Sequence, residues 1–209
     1  MSVDRLTNSN LTRRRLMGFG TALAAVIVAR PARADSDMDH ATAFMTQMVQ
    51  DLITVVNGAG SAADKAVGLQ RVIDRTVDVN GIARFCLGRF WRQASPDEQK
   101  QYTDLFHKVL LKNITGKVGD YSGVDISIQK TFNRDDGIVV SSTVNRPNSA
   151  PAKVDWLINL ESGKPLVIDV IAEGTSLRLT QRNDYSAFLT RNNNSVSALL
   201  DALKQQANG

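Results

Sequence analysis

Residues 121–171 read YSGVDISIQKTFNRDDGIVVSSTVNRPNSAPAKVDWLINLESGKPLVIDVI, and this stretch decides the fold. Val124, Ile126 and Ile128 alternate with polar residues, the two-residue period of a half-buried strand. Asp136-Gly137 is a hairpin turn, and Ile138, Val140, Ser142 and Val144 alternate on the return. Arg146 to Pro151 is a turn-rich loop. Val154, Trp156, Ile158 and Leu160 then give a third strand with one apolar face. Ser162-Gly163 turns again before a fourth strand, Leu166 to Ile171. Sequential strands with short connections predict an antiparallel meander.

On either side of this stretch the period lengthens. From Asp37 to Val56 the apolar residues Ala41, Met45, Met48, Leu52 and Val56 follow the 3.6-residue repeat of an amphipathic helix, stopped by Asn57-Gly58-Ala59-Gly60. Ser61-x-x-Asp64 resembles a capping arrangement for a second helix, which places Leu69, Val72, Ile73 and Val77 on one face. A short helical stretch runs from Asn80 to Trp91. In Ser95-Pro96-Asp97-Glu98 the serine can cap, the proline suits the first helical position and the glutamate can reach back. The helix opened there buries Tyr102, Phe106, Val109 and Leu110 and ends near Gly116. Two helices close the chain, one around Arg182 to Arg191 and one from Ser195 through Leu203. Helices segregated from antiparallel strands predict an α+β fold, a four-stranded meander packed against a set of helices.

The N-terminus reads as an export signal. Arg13-Arg14-Arg15 precedes an uncharged run from Leu16 to Ala29, then Ala32-Arg33-Ala34 with small residues at the processing positions. The apolar run is shorter than the roughly 20 residues that span a bilayer, which disfavours the alternative of an uncleaved anchor. The run of arginines resembles a twin-arginine signal, although the general export route uses similar sequences. Residues 1–34, cleaved after Ala34, are therefore expected to be a signal, and residues 35–209 a single domain in the periplasm.

That boundary removes the basic character of the chain. The whole sequence has a net charge of +4 and a pI near 9.4, but residues 1–34 hold six arginines and one acid. The other 175 residues hold 19 basic and 20 acidic side chains, a balance that argues against a phosphate-backbone binder. Cys86 is the single cysteine, so no internal disulfide can form. Its neighbours Phe85 and Leu87 suggest a small buried apolar residue.

Motifs that carry chemistry are scarce. His40 lies near the expected mature N-terminus, and His107 reads as one half of a helix-surface pair with Asp104. No spacing of His, Cys or acids suggests a metal site, and no nucleotide-binding glycine loop or nucleophile elbow is present. Asp169 and Glu173 could work as acid and base, but ion pairing with Arg178 or Arg182 is the simpler expectation. No cofactor is expected, and the pattern weighs against an enzyme.

Two stretches resemble the MlaC family, the toluene-tolerance auxiliary component of phospholipid ABC transport. One runs from Gly81 through Leu87-Gly88-Arg89-Phe90-Trp91 and Ser95-Pro96 to Leu105-Phe106 and Tyr121. The other is Asp169-Val170-Ile171-Ala172-Glu173-Gly174-Thr175-Ser176-Leu177, followed by Arg182 and Tyr185. The similarity covers roughly residues 38–206. It implies a periplasmic lipid carrier, with acyl chains in an apolar cavity between sheet and helices. Its cargo would be glycerophospholipid, shuttled between an outer-membrane lipoprotein complex and an inner-membrane ABC permease with its substrate-binding subunit. A hopanoid-associated carrier is the alternative within the class. A small cavity enzyme using Asp169, Glu173 and Tyr185 on an apolar substrate is the alternative outside it. For the carrier, Phe85, Phe90, Trp91, Phe106, Leu110, Trp156 and Ile158 are expected to line or border one apolar pocket, since their periods place them on inward faces.

Overall fold

The structure is a computed structural model, and it describes residues 31–161 and 163–209. The proposed signal up to Arg30 and Ser162 of the third turn lie outside the described residues. Among the described residues, six α-helices and five strands follow in order: α1 (Pro31–Asn57), α2 (Ala62–Thr76), α3 (Val79–Leu87), α4 (Pro96–Thr115), β1 (Asp125–Arg134), β2 (Gly137–Asn145), β3 (Ala152–Asn159), β4 (Leu166–Ala172), β5 (Thr175–Ser176), α5 (Leu177–Arg191) and α6 (Val196–Asn208). The strands form one antiparallel sheet in the order β1-β2-β3-β4-β5. The α+β class and the meander are as expected, but the sheet has five strands where the sequence predicts four.

The additional strand follows from a tight turn. Ile171 pairs with Ser176 and Ala172 with Thr175, leaving Glu173 (φ 48°) and Gly174 (φ 80°) as a two-residue loop. Positive φ at both loop residues matches the twist of a hairpin. A glutamate gives no hint that it adopts that conformation. β5 is also the lead-in to α5, which starts at Leu177, not near Arg182. Ser176 caps this helix, its Oγ accepting from the Leu179 N–H at 3.1 Å.

Both capping boxes form. Ser61 accepts from the Asp64 N–H at 3.2 Å and donates its own N–H to the Asp64 carboxylate at 2.9 Å. Ser95 and Glu98 repeat the arrangement at the same two distances, with Pro96 as the first helical residue. The stretch predicted as one helix from Asn80 to Trp91 divides into α3 and a 3-10 turn over Gly88–Arg92. Gly88 at φ 58° makes the break. α1 starts at Pro31, before the expected Asp37: proline is tolerated in a first turn and no glycine interrupts the run between them.

α1 lies across one sheet face. Ala41, Met45, Met48 and Val49 are buried there against Ile138, Val140, Ile158 and Val167. In register, Ile138 faces Ile158 and Val140 faces Trp156. Burying such side chains contributes roughly 1.5–3 kcal/mol each. The register shift of β3 against β4 leaves Ile168 of β4 as the extra residue. The β2–β3 register is unbroken through Val139–Leu157 and Ile138–Ile158, so Leu157 and Ile158 point to opposite faces, and both are fully buried. β3 therefore has two buried faces, where the alternation predicts one. Gly137 is required at the start of β2: its φ is 150°, and a Cβ would come within 2.5 Å of the Ile158 carbonyl oxygen.

The other helices build a second core. Ala83, Leu87, Tyr102, Phe106, Leu189 and Leu200, from α3, α4, α5 and α6, are buried together. Tyr102, Phe106 and Tyr185 form an aromatic trio with centroids 6.0–6.4 Å apart. Val77 packs against both cores. It also pairs in parallel with Val167 of β4, while the Asp78 N–H donates to the Val167 carbonyl at 3.0 Å.

Candidate functional site

The seven candidate pocket residues divide between the two cores. Phe90 and Phe106 are buried in the helical core, with Phe85, Trp91 and Leu110 packed against it. Ile158 is buried beneath α1, with Trp156 beside it. The Trp156 Nε1–H donates to the Ser142 Oγ at 2.9 Å, so its one polar atom is satisfied within the sheet. The helical and strand members thus belong to separate buried groups, which meet at Val77.

Asp169 sits at the junction of β4 and α5 and is 3% exposed. It accepts from the Ser176 hydroxyl at 2.6 Å and the Arg178 backbone N–H at 3.1 Å, and pairs with the Arg178 Nε at 3.4 Å. Arg178 also reaches Asp136 at 2.8 Å. The hydrogen-bonded Arg134 guanidinium, with a smaller contribution from the Arg178 charge, holds the Asp136 carboxyl below the usual range. Glu173 is exposed and accepts the Lys153 backbone N–H, so the expected arginine pairing holds for Asp169 and not for Glu173. Burial raises the Tyr185 phenol well above its ordinary value. The three residues of the enzyme alternative are thus spread over an ion-paired carboxylate, a surface turn and the aromatic core. His107 pairs with Asp74 of α2 at 2.7 Å instead of Asp104, which pairs with Lys100 at 2.7 Å.

Cys86 is buried and donates weakly to the Arg178 carbonyl oxygen at 3.4 Å. Burial pushes its thiol up to about 12, with the nearby Arg178 and Arg182 charges pulling the other way. Among the described residues, no group of three His, Cys, Asp or Glu side chains could hold a metal.

Phe85 borders an open cleft of about 430 Å³ that the sequence reading missed. Gly81, Gly88, Arg84, Arg89, Arg92 and Arg182 complete its lining. A signal was available: three arginines fall between positions 84 and 92, and no acid occurs between Asp78 and Asp97. Arg182 joins them only through the packing of α5 on α3. A second cleft, about 410 Å³, lies between α5 and α6 beside Tyr185, Phe188, Leu199 and Leu203, and none of the seven candidates borders it.

The MlaC protein family matches residues 46–205. Among solved structures, the fold is shared with a phospholipid-binding protein from Ralstonia solanacearum in complex with a phospholipid. That match has a TM-score of 0.69 at 23% identity and covers 80% of this chain and 96% of the other. The two motif stretches around Leu87-Gly88-Arg89 and Asp169 to Leu177 fall inside the matched range, and the chain belongs to the MlaC family.

Proposed function

We propose that the protein is a periplasmic carrier of glycerophospholipid. It shuttles lipid between an outer-membrane lipoprotein complex and an inner-membrane ABC permease with its substrate-binding subunit. Residues 1–34 act as a cleaved export signal and residues 35–209 as the lipid-binding domain. The observation that carries this reading is the shared fold of a phospholipid-binding protein that holds its ligand, supported by membership of the MlaC family.

The physics of such a carrier is burial. Covering one methylene contributes about 0.8 kcal/mol, so two chains of about 16 carbons give roughly 25 kcal/mol before the costs of association. Spontaneous escape into water is then negligible, and release needs a second apolar site, which docking partners supply. Phe85, Phe90, Trp91, Phe106 and Leu110 would border the acyl chains from the helical side, and Trp156 and Ile158 from the sheet. Val77 packs against both cores, which supports two walls that adjoin beside it.

Native mass spectrometry of gently purified protein tests the reading. Co-purified phospholipid is expected. A protein that emerges lipid-free, and takes up none from liposomes, overturns it.

A further inference from the structure

The cleft between α3, the Gly88–Arg92 turn and α5 has an unusual lining: four arginines, two glycines, one phenylalanine and no acid. Among the described residues, none of Arg84, Arg89, Arg92 and Arg182 forms an ion pair with a carboxylate. Arg178 makes the contrast. It lies over the same Phe85 ring as Arg182, at 4.6 Å against 4.8 Å, yet its charge is answered by Asp136 and Asp169. The four cleft arginines stand together in a region outside the signal whose overall charge is nearly balanced.

Three of them are held in place by aromatic faces. Arg182 lies over Phe85, Arg89 over Phe90 at 4.8 Å and Arg84 over Trp91 at 5.6 Å. Stacking of this kind restrains a guanidinium and leaves its in-plane N–H groups available. Arg182 is restrained further. Its Nη1 donates to the Phe85 carbonyl oxygen at 3.4 Å. Its Cζ and Nη2 lie 3.2 Å from where a Cβ on Gly88 would stand. Gly88 thus has two effects: its left-handed backbone ends α3, and its missing side chain lets the Arg182 guanidinium lie against the main chain.

We propose that this cleft is a binding site for a phosphate group, presented by a lipid headgroup or as free phosphate. Like charges gathered without counter-charge repel one another, and an anion among them removes that repulsion. The donors are all arginine, whose planar fork binds phosphate oxygens in pairs. A carboxylate offers two oxygens in one plane. A phosphate offers terminal oxygens in several directions and so can engage forks arriving from α3, the turn and α5 together. The concave shape and the volume of about 430 Å³ suit a phosphate with an attached glycerol. The site does not depend on acyl chains being carried in the interior.

The test is calorimetric titration of the purified protein at constant ionic strength with inorganic phosphate and with glycerol 3-phosphate. Saturable binding of at least one is expected, weakened about tenfold by the exposed pair R89Q/R92Q and separately by R182Q, as expected on losing charge-assisted bonds. R182K is expected to recover only part of the loss, because it restores the charge without the fork. Circular dichroism checks that each variant is folded, and the R89Q/R92Q pair stands in if R182Q is not. Equal affinity for the two probes assigns the site to free phosphate. Tighter binding of the ester, with arginine-dependent retention on phosphatidylglycerol vesicles, assigns it to a headgroup. No saturable binding of either probe overturns the proposal, as does affinity unchanged in the folded variants. Tighter binding of polyglutamate than of both phosphate probes also overturns it, in favour of an acidic protein face.

Discussion

The Tyr102 hydroxyl donates to the Ala83 carbonyl oxygen at 2.9 Å, tying the middle of α4 to α3 inside a core from which water is excluded. Tyr102→Phe keeps the ring and its contacts with Phe106 and Tyr185 but leaves that carbonyl without its side-chain donor. A loss of about 1 kcal/mol is expected, read as a lower urea midpoint with an unchanged slope. An unchanged midpoint would show that this bond adds nothing to the packing.

Ile158 is the sharpest test of the sheet-side wall. Ile158→Glu places an unpaired carboxylate among apolar groups, which is costly. Native mass spectrometry is expected to show lipid lost, with far-UV circular dichroism retained and a lowered melting temperature. Ile158→Met, close in volume, is expected to keep both lipid and stability. A folded glutamate variant with its full lipid complement would remove β3 from the wall.

Ser95→Ala removes one half of the α4 capping box. The expected cost is about 1 kcal/mol, or roughly 2–4 °C in melting temperature for a domain of this size. Differential scanning calorimetry reads it directly.

Asp169→Ala would strip Arg178 of its buried partner and leave the Arg178 N–H and the Ser176 hydroxyl without their acceptor. Asp136 still answers part of the charge, so a loss of about 3 kcal/mol is expected. Asp169→Asn retains an acceptor and should lose less. Equal losses in chemical denaturation would show that the charge, and not the hydrogen bonding, dominates.

Stability should fall in alkali. An unfolded thiol ionises near pH 8.5, whereas burial holds Cys86 protonated up to about 12. Its contribution is complete below the lower value and disappears as pH rises toward the higher one. Tyr102 and Tyr185, both raised by burial, act in the same direction at higher pH. Urea midpoints should decline above about pH 9, less steeply in Cys86→Ala. Ellman's reagent should label Cys86 at pH 8 only when urea is added; prompt labelling of the native protein would contradict the burial.

The sequence discloses what is local. Ser95, Pro96 and Glu98 announce their helix because all the atoms that make the cap lie within one turn. The alternation in Ile138, Val140 and Ser142 is likewise a property of one strand. The register shift between Leu157 and Ile158 is not, because a bulge shows itself only against a partner strand. Glu173 at positive φ is equally hidden, since glutamate has no preference for that region. His107 finds Asp74 through the packing of α4 on α2, at a separation no helical repeat encodes. The periods place the candidate pocket residues on inward faces; Phe90, Phe106 and Ile158 are buried, and Phe85, Trp91, Leu110 and Trp156 pack half-buried against a core. Periodicity cannot say which core an inward face belongs to, so Phe106 and Ile158 read alike and are buried apart. The arginine cleft depends on Arg182 arriving from the far end of the chain.

The sheet offers a neighbouring copy no flush edge. On one side β1 is bent by the shift between Ile128 and Lys130, and Lys130, Asn133 and Arg134 are exposed along it. On the other side β4 is occupied twice, by β5 on Ile171 and Ala172 and by Val77 on Val167. Bends, charges and short covering segments all frustrate strand addition between chains. Concentrated native protein should therefore resist edge-to-edge growth into cross-β stacks.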